Sequence, residues 1–360
     1  MFSTVVSSLL LLSFTADFSA GQQDEQLNMQ ELSMPGVDEP KLLMSIPAEK
    51  LSPAQKSPKH EWIFEYQSLG YGRPNPADAY KLRFRVFSQY RKLANDPAEL
   101  GTRMLLRMWW MLRSRMNLDH GEDYNRFVDV YFSFGGVAGG EQLFDKEFRN
   151  GFAVRVNTVY IYDVPSFSQP IEMAREIAHE YGHAVLPPVG SFKKPEAWGN
   201  GDLGERVFLQ WMLRDLKENK IESRDVMNAL PKELEEYTKT KVDPLVMAVR
   251  DSGPDWKALK SMETMDAYLG VLLWAERLVN PELFSKILNS NATGDAVGAA
   301  KGLLDTIETQ KSVTLQTKGR EGTTVWIPVG KMKITGATLV KRANDWAAVK
   351  VNSPTVTLTR

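Results

Sequence analysis

The sequence predicts an α+β protein: a mostly helical domain with a small sheet, followed by a small C-terminal all-β region. Apolar residues recur with a helical period over most of residues 170–309. Two runs rich in Val, Ile, Thr, Tyr and Phe precede this region, at 127–134 and 152–164, and such runs are typical of strands. After residue 311, similar short runs alternate with Gly and Asn turns. They predict the β region at 311–360, with strands at 324–327, 337–340, 346–351 and 356–358.

The first sixty residues are expected to lie outside this fold. An apolar stretch followed by small residues predicts a signal peptide at 1–20, and hence a secreted or periplasmic protein. A short membrane anchor is the alternative, but the apolar run is shorter than the roughly 20 residues that a span needs. No later segment qualifies, so we expect no integral membrane span after signal removal. Residues 21–60 are polar and rich in proline, which predicts a disordered linker or pro-like segment.

The composition excludes several function classes. The 360 residues carry 44 Lys and Arg against 45 Asp and Glu, a formal net charge of −1. Because the chain has no excess of positive charge for phosphate backbones, no nucleic-acid partner is expected. The sequence has no cysteine, which excludes disulfide scaffolds, thiolate-bound zinc and cysteine nucleophiles. Any metal must therefore be bound by His, Asp or Glu.

The central domain, at 61–310, is expected to begin with two helices at 77–95 and 97–118. The second helix has an apolar patch interrupted by arginines, as in an amphipathic helix packed on a core. A Gly-rich segment at 135–140 separates the two candidate strands. No Gly-Lys-Ser/Thr follows it, so the segment is interpreted as a flexible loop and not as a phosphate-binding loop.

The pattern that carries chemistry is His-Glu-x-x-His, formed by His179, Glu180 and His183. Pro170 suits the first turn of a helix and Pro187 ends it, so the pattern lies within one helix. Residues at i and i+4 share a helix face, and the two imidazoles are expected to converge on one metal ion. The alternative is a pair of core histidines, but the apolar residues of this helix occupy the opposite side.

A catalytic zinc site normally has three protein ligands and a water. No histidine follows His183, so the third ligand should be one of the carboxylates downstream: Glu196, Asp202 or Glu205. Glu205 is the best candidate, because it falls on the apolar face of a helix predicted at 201–217, where an unpaired carboxylate would be costly. A capping box, in which Asp202 caps the helix and Glu205 reaches back to it, is the alternative.

These residues resemble those of the zincin metallopeptidases, specifically the gluzincin branch. The resemblance is carried by His179, Glu180 and His183, with Glu205 on a second helix 22 residues later (205 − 183). It covers this pair of helices only, and no particular family is identified. Many gluzincins have an Asp four residues after the Glu, to orient the first histidine, but Leu209 stands at that position.

The resemblance implies a zincin-like catalytic domain and a secreted, zinc-dependent peptide-bond hydrolase. His179, His183 and Glu205 would bind one Zn²⁺ that activates a water, with Glu180 as the general base. The implied partner is a peptide or protein substrate. In zincins a sheet-edge strand before the motif helix binds the substrate backbone. Residues 152–164 stand in that place, with an interior strand as the alternative.

Two other function classes stay open: a non-catalytic secreted binding or scaffold protein with a zincin fold, and a zinc hydrolase with a non-peptide substrate. Degenerate scaffolds typically lose a motif residue, and none is lost here. His60 and His120 are interpreted as surface residues. The candidates for stabilising an oxyanion are Tyr160, Tyr162, Tyr237 and Tyr268. Charged residues on the histidine face are either outer-shell groups of the metal site or solvated surface: Glu172, Arg175 and Glu176.

Overall fold

Runs of strands and runs of helices follow one another along the computed structural model, as expected of an α+β protein. The structure describes residues 28–32, 41–45, 66–69, 84–88, 97–118, 128–133, 137–149, 152–190, 192, 197–253, 264–290 and 295–360. The predicted signal peptide lies outside the described residues, as do Glu196, His60 and His120. Within the described part of the chain, no helix combines the length and the apolar character needed to cross a membrane.

The strands before the helical region form two sheets. They are β1 (Asn28–Leu32), β2 (Lys41–Ser45), β3 (Tyr66–Leu69), β4 (Phe84–Ser88), β5 (Val128–Phe132), β6 (Gly139–Arg149) and β7 (Phe152–Tyr162). Strands β1, β2 and β3 pair antiparallel in that order. The second sheet has the order β4-β5-β7-β6, in which β4, β5 and β7 are parallel and β6 is antiparallel to β7. Among the described strands, β6 is therefore an edge and β7 is interior.

Several of these strands differ from the sequence-based expectation. Strands β1 and β2 lie in the predicted linker at 21–60, where five-residue strands are too short to show a clear period. The helix predicted at 77–95 is wrong at β4, where pairing with β5 buries Phe84 and Val86 and outweighs helical propensity. The Gly-rich segment leads directly into β6, and this polar edge strand was not predicted. The edge position expected for 152–164 is also wrong, because β6 covers that side of β7.

The helical region contains most of the expected elements. The helices are α1 (Pro97–Met111), α2 (Pro170–Val185), α3 (Asn200–Lys217), α4 (Pro231–Tyr237), α5 (Asp243–Ser252), α6 (Thr264–Leu278), α7 (Pro281–Ser290) and α8 (Ala296–Thr309). Helix α2 starts and stops where the prolines predict. Its first turn is closed by the Glu172 carboxylate, which accepts a hydrogen bond from the Gln169 backbone N–H at 3.1 Å.

Helix α1 packs on the core as predicted, but the amphipathic character expected of it is wrong over residues 100–109, which are all buried, Trp109 completely. Two of the arginines that interrupt its apolar patch are also buried, because both bind one acid. Asp225 lies 2.7 Å from Arg103 and 3.1 Å from Arg107. Buried charges are tolerated when they are paired in this way, and the contacts attach α1 to the segment between α3 and α4.

Helices α2 and α3 cross in backbone contact, and this crossing builds the candidate site. A Cβ atom at Gly204 would lie 2.5 Å from the Gly182 Cα, and a Cβ atom at Gly182 would lie 2.7 Å from the Asn200 carbonyl oxygen. Real Cβ atoms do not approach backbone so closely, so any side chain at either position would separate the helices. Glycine at both positions brings the first turns of α3 against the histidine-bearing end of α2.

The C-terminal region consists of short antiparallel strands, as predicted. They are β8 (Ser312–Gln316), β9 (Thr324–Pro328), β10 (Lys333–Thr335), β11 (Ala337–Ala343), β12 (Trp346–Val351) and β13 (Thr355–Thr359). They form the sheets β10-β13-β8 and β11-β12-β9. Trp346 of β12 stacks on Trp274 of α6 with ring centroids 5.6 Å apart. The β region thus shares a hydrophobic core with the helices.

Candidate metal centre

The two histidines of α2 point their Nε2 atoms at each other. The distance from His179 Nε2 to His183 Nε2 is 3.2 Å, and the rings are nearly perpendicular, at 77°. Helical spacing places both residues on one face, and Ala178 and Tyr181 on the other side of α2 are completely buried. The expected convergence of the two imidazoles is therefore present in the structure.

The tautomer of His183 is set by Asn200, the first residue of α3. The Asn200 side-chain N–H₂ donates to the carbonyl oxygens of His183 and Leu186, both at 3.2 Å. Its oxygen consequently faces His183 Nδ1 at 2.9 Å and accepts a hydrogen bond from it. With the proton on Nδ1, the Nε2 atom of neutral His183 presents a lone pair, as a metal ligand must.

Glu205 places an oxygen acceptor near the Nδ1 atom of His179, as Asn200 does for His183. Its Oε2 atom lies 3.5 Å from His179 Nδ1, while its Oε1 accepts a 2.7 Å hydrogen bond from Arg175 Nε. Burial, the largest single effect, would raise the pKa of Glu205. The hydrogen bond with His179 and the charges of Arg175 and Arg206 outweigh it and lower this pKa to about 2. Glu205 is therefore an anion at neutral pH, placed to hold the Nδ1 proton of His179.

The predicted ligand Glu205 thus lies in the site, and its carboxylate contacts the Nδ1 side of the imidazole. The capping-box alternative is wrong, because α3 begins at Asn200 and Glu205 bonds to α2 instead of its own first turn. Asp202 lies nearby: ligand atoms of His179, Asp202 and Glu205 all lie within 4.8 Å of one another, in a group that does not include His183. Asp202 forms an ion pair with Arg206 one turn later.

The Nε2 pair fits a tetrahedral ion. Zinc–nitrogen bonds are about 2.0–2.1 Å long, so two nitrogens 3.2 Å apart would subtend an angle of about 100° at the ion. The tetrahedral angle is close to this value. Two facing lone pairs at this distance repel each other unless a cation or a proton lies between them. The donor set of two imidazoles and nearby carboxylates, without thiolates, is also one that zinc accepts.

The backbone of α3 lies against the two Nε2 atoms at Gly201. A Cβ atom at this position would lie 2.3 Å from His183 Nε2 and 2.7 Å from His179 Nε2. Both distances are much shorter than a van der Waals contact, so any other residue would displace α3 or both imidazoles. The crossing of α2 and α3 therefore depends on glycine where the helices pack and also where α3 meets the two Nε2 atoms.

Replacing Gly201 with Ala is expected to lower zinc affinity at least about tenfold, because the added methyl group collides with both ligand atoms. Isothermal titration with zinc measures the effect. The matched control is Gly302→Ala in α8, where the nearest atom to a new Cβ is 3.5 Å away, an ordinary contact. Unchanged zinc affinity in Gly201→Ala would mean that the ion is bound elsewhere.

Glu180 lies between the histidines and the edge strand. It is only 4% exposed, and a Cβ atom at Gly140 of β6 would lie 2.5 Å from its Cγ. Glu180, His183 and the β6 residues 140–144 line one cleft of about 870 Å³. Its other walls include Pro187, Pro188 and Trp198. The described lining contains His183 and Glu180, but not His179, Asp202 or Glu205.

The sequence did not identify Asn200 as an orienting group, and Arg175 was only one of three possible outer-shell residues. The signal for Asn200 was weak: an asparagine at a helix start is more often a cap. The four candidate tyrosines are absent from the described lining of the cleft. Tyr237 instead lies near Glu205 and Arg175, where burial and then the Glu205 charge raise its pKa well above the usual value.

Comparisons of the chain with protein-family models, with curated proteins and with solved structures found no match. The resemblance to zincins therefore rests on the residues of α2 and α3 and on the geometry around them.

Proposed function

We propose that the protein is a zinc-dependent peptide-bond hydrolase of the zincin type, with His179 and His183 as metal ligands. The observation that carries the proposal is the pair of Nε2 atoms 3.2 Å apart, with both Nδ1 atoms facing oxygen acceptors. This combination prepares two lone pairs for one cation. The third ligand is a carboxylate of the group that His179 forms with Asp202 and Glu205.

Glu180 is the proposed general base. When bound, zinc would polarise the scissile carbonyl and lower the pKa of a water to about 7. Glu180 would accept a proton from the water as the water oxygen bonds to the scissile carbonyl carbon, and would then give that proton to the leaving nitrogen as the C–N bond breaks. Its position supports this role, because it lines the cleft together with His183. It follows His179 directly in the chain and is not one of the two histidines proposed as ligands. It is buried against Gly140 of β6.

The substrate is proposed to be an extended peptide paired with β6. An edge strand offers unused backbone donors and acceptors, and among the described strands β6 has a neighbour on one side only. The cleft that β6 lines also contains Glu180 and His183. A peptide added to this edge would therefore carry its backbone past the catalytic group, which favours a peptide over a compact small molecule.

The substitutions Glu205→Gln and Asp202→Asn test which of the two carboxylates is the third ligand. If Glu205 is the third ligand, Glu205→Gln should reduce zinc affinity by more than about a hundredfold, because an amide is a poor zinc ligand; a group that only orients His179 is worth about 10–100-fold. If Asp202 is the ligand, Asp202→Asn should show the larger loss. Competition with a chromogenic chelator measures both. Parent affinity in both variants would contradict a carboxylate third ligand.

The proposal as a whole is tested on the purified protein by metal analysis and by hydrolysis of a peptide mixture. We expect about one zinc per chain, and cleavage that a chelator stops and added zinc restores. Zinc without cleavage of peptides or esters would favour the non-catalytic binding class. Cleavage of esters without peptides would favour a zinc hydrolase with another substrate. Absence of zinc and of cleavage would overturn the proposal.

A further inference from the structure

A second cavity, remote in sequence from the histidines, lies between the helical region and the β region. Its volume is about 140 Å³, well above the ~10–15 Å³ that a single water needs. Apolar side chains form much of its wall, including Trp274 of α6 and Trp326 of β9. Four cations also line it: Arg250, Arg277, Lys318 and Arg320. No acidic residue is part of the described lining.

Two of the four cations are neutralised by neighbouring acids. Arg250 binds Asp251 through Nε at 2.6 Å and Nη2 at 2.9 Å. Arg277 binds Asp243 through Nη1 at 2.8 Å, and Gln210 accepts hydrogen bonds from its other two nitrogens. Four positive charges and two negative charges leave a net charge of +2 at the cavity (4 − 2).

The remaining two cations are on a turn that the backbone holds in place. Arg320 N donates to Thr317 O, and Thr323 N donates to Arg320 O, both at 3.0 Å. Gly319 and Gly322, with φ values of +78° and +81°, occupy the left-handed positions that such turns require. Lys318 and Arg320 make no side-chain hydrogen bond or ion pair within the described part of the chain. Their donors are therefore available to a ligand.

The cations also repel one another. The pKa of Arg320 is lowered by burial first and then by the charges of Arg250 and Arg277. An anion between these groups would replace this repulsion with attraction, and the apolar walls would strengthen it by lowering the local dielectric constant. Arginine forks also match the oxygens of phosphate and sulfate geometrically.

We propose that this cavity, the cationic cavity of Arg250, Arg277, Lys318 and Arg320, binds a doubly charged oxyanion, either free phosphate or sulfate or a phosphate monoester on a larger molecule. The charge of −2 on a dianion balances the net charge of +2 around the cavity. Lys318 and Arg320 supply the free donors, and Arg250 and Arg277 line the same cavity. The site does not depend on the metal centre or on hydrolysis.

Isothermal titration of the full chain with sodium sulfate, with nitrate as the monovalent comparison at constant ionic strength, tests the proposal. We expect saturable sulfate binding with a Kd of about 1 mM or lower, and binding by nitrate at least about tenfold weaker. Lys318→Ala with Arg320→Ala should weaken sulfate binding at least about tenfold. The matched control, Lys333→Ala with Lys341→Ala, removes the same charge from exposed strand positions of the same region and should change the Kd less than about twofold.

Two further titrations identify the chemical form of the bound anion and the site at which it binds. Glucose 6-phosphate binding more tightly than inorganic phosphate would identify an ester, and equal affinities would identify the free anion. Sulfate binding should persist when His179 and His183 are both replaced by Ala, which separates this cavity from the metal centre. Absence of saturable binding, equal binding of nitrate, or equal losses in the two lysine-containing double variants would overturn the proposal. Circular dichroism checks that each variant is folded.

Discussion

Replacing His179 or His183 with Ala is expected to abolish zinc binding. Each substitution removes one of the two Nε2 atoms that lie 3.2 Å apart, so the ion loses a direct ligand. The loss in affinity should exceed the about 10–100-fold that is typical of changes in outer-shell partners. Zinc content measured by mass spectrometry after gel filtration, together with competition by a chelator, gives the stoichiometry and the affinity.

The other two histidines provide the control for this experiment. His60→Ala and His120→Ala remove the same chemical group from positions that the sequence assigns to the surface. Both variants should keep about one zinc per chain. Stoichiometric zinc in the double variant His179→Ala, His183→Ala would show that the facing imidazoles are not the metal site, and the proposed function would be lost with it.

Glu180→Gln is expected to leave zinc and the fold in place and to reduce peptide hydrolysis by about 10²–10⁴-fold. The amide has the size of the carboxylate but cannot accept the proton of the attacking water. Because Glu180 is proposed as a base and not as a ligand, kcat should fall while zinc affinity changes little. Steady-state kinetics on a peptide substrate and zinc titration measure the two quantities separately.

Glu172→Gln is the matched control, since it makes the same chemical change on the same helix. Its carboxylate closes the first turn of α2 by accepting hydrogen bonds from Ser168 and Gln169. We expect activity within a few-fold of the parent and at most a small loss of stability. Activity of Glu180→Gln near that of the parent would show that the water is activated by another group.

Much of the local structure was predictable because it depends on neighbours in the chain. Pro170 and Pro187 delimit α2 through the missing N–H and the fixed φ of proline, and the structure agrees at both ends. Four of the six described C-terminal strands were predicted from β-branched and aromatic runs between turns, and β8 and β10 were not. The strand at 84–88 was not, because pairing with β5, which is distant in sequence, outweighs local propensity.

The sequence by itself determined that His179 and His183 share one face of one helix, because i, i+4 spacing is a property of the local backbone. Only the tertiary structure decided what meets that face. The contact of Gly182 with Gly204 sets the register of α3, so that Gly201 faces the Nε2 atoms and Glu205, one turn later, faces His179 Nδ1. Spacing along the chain does not determine which residues of two helices meet. The sequence alone therefore left the roles of Asn200 and Glu205 undecided.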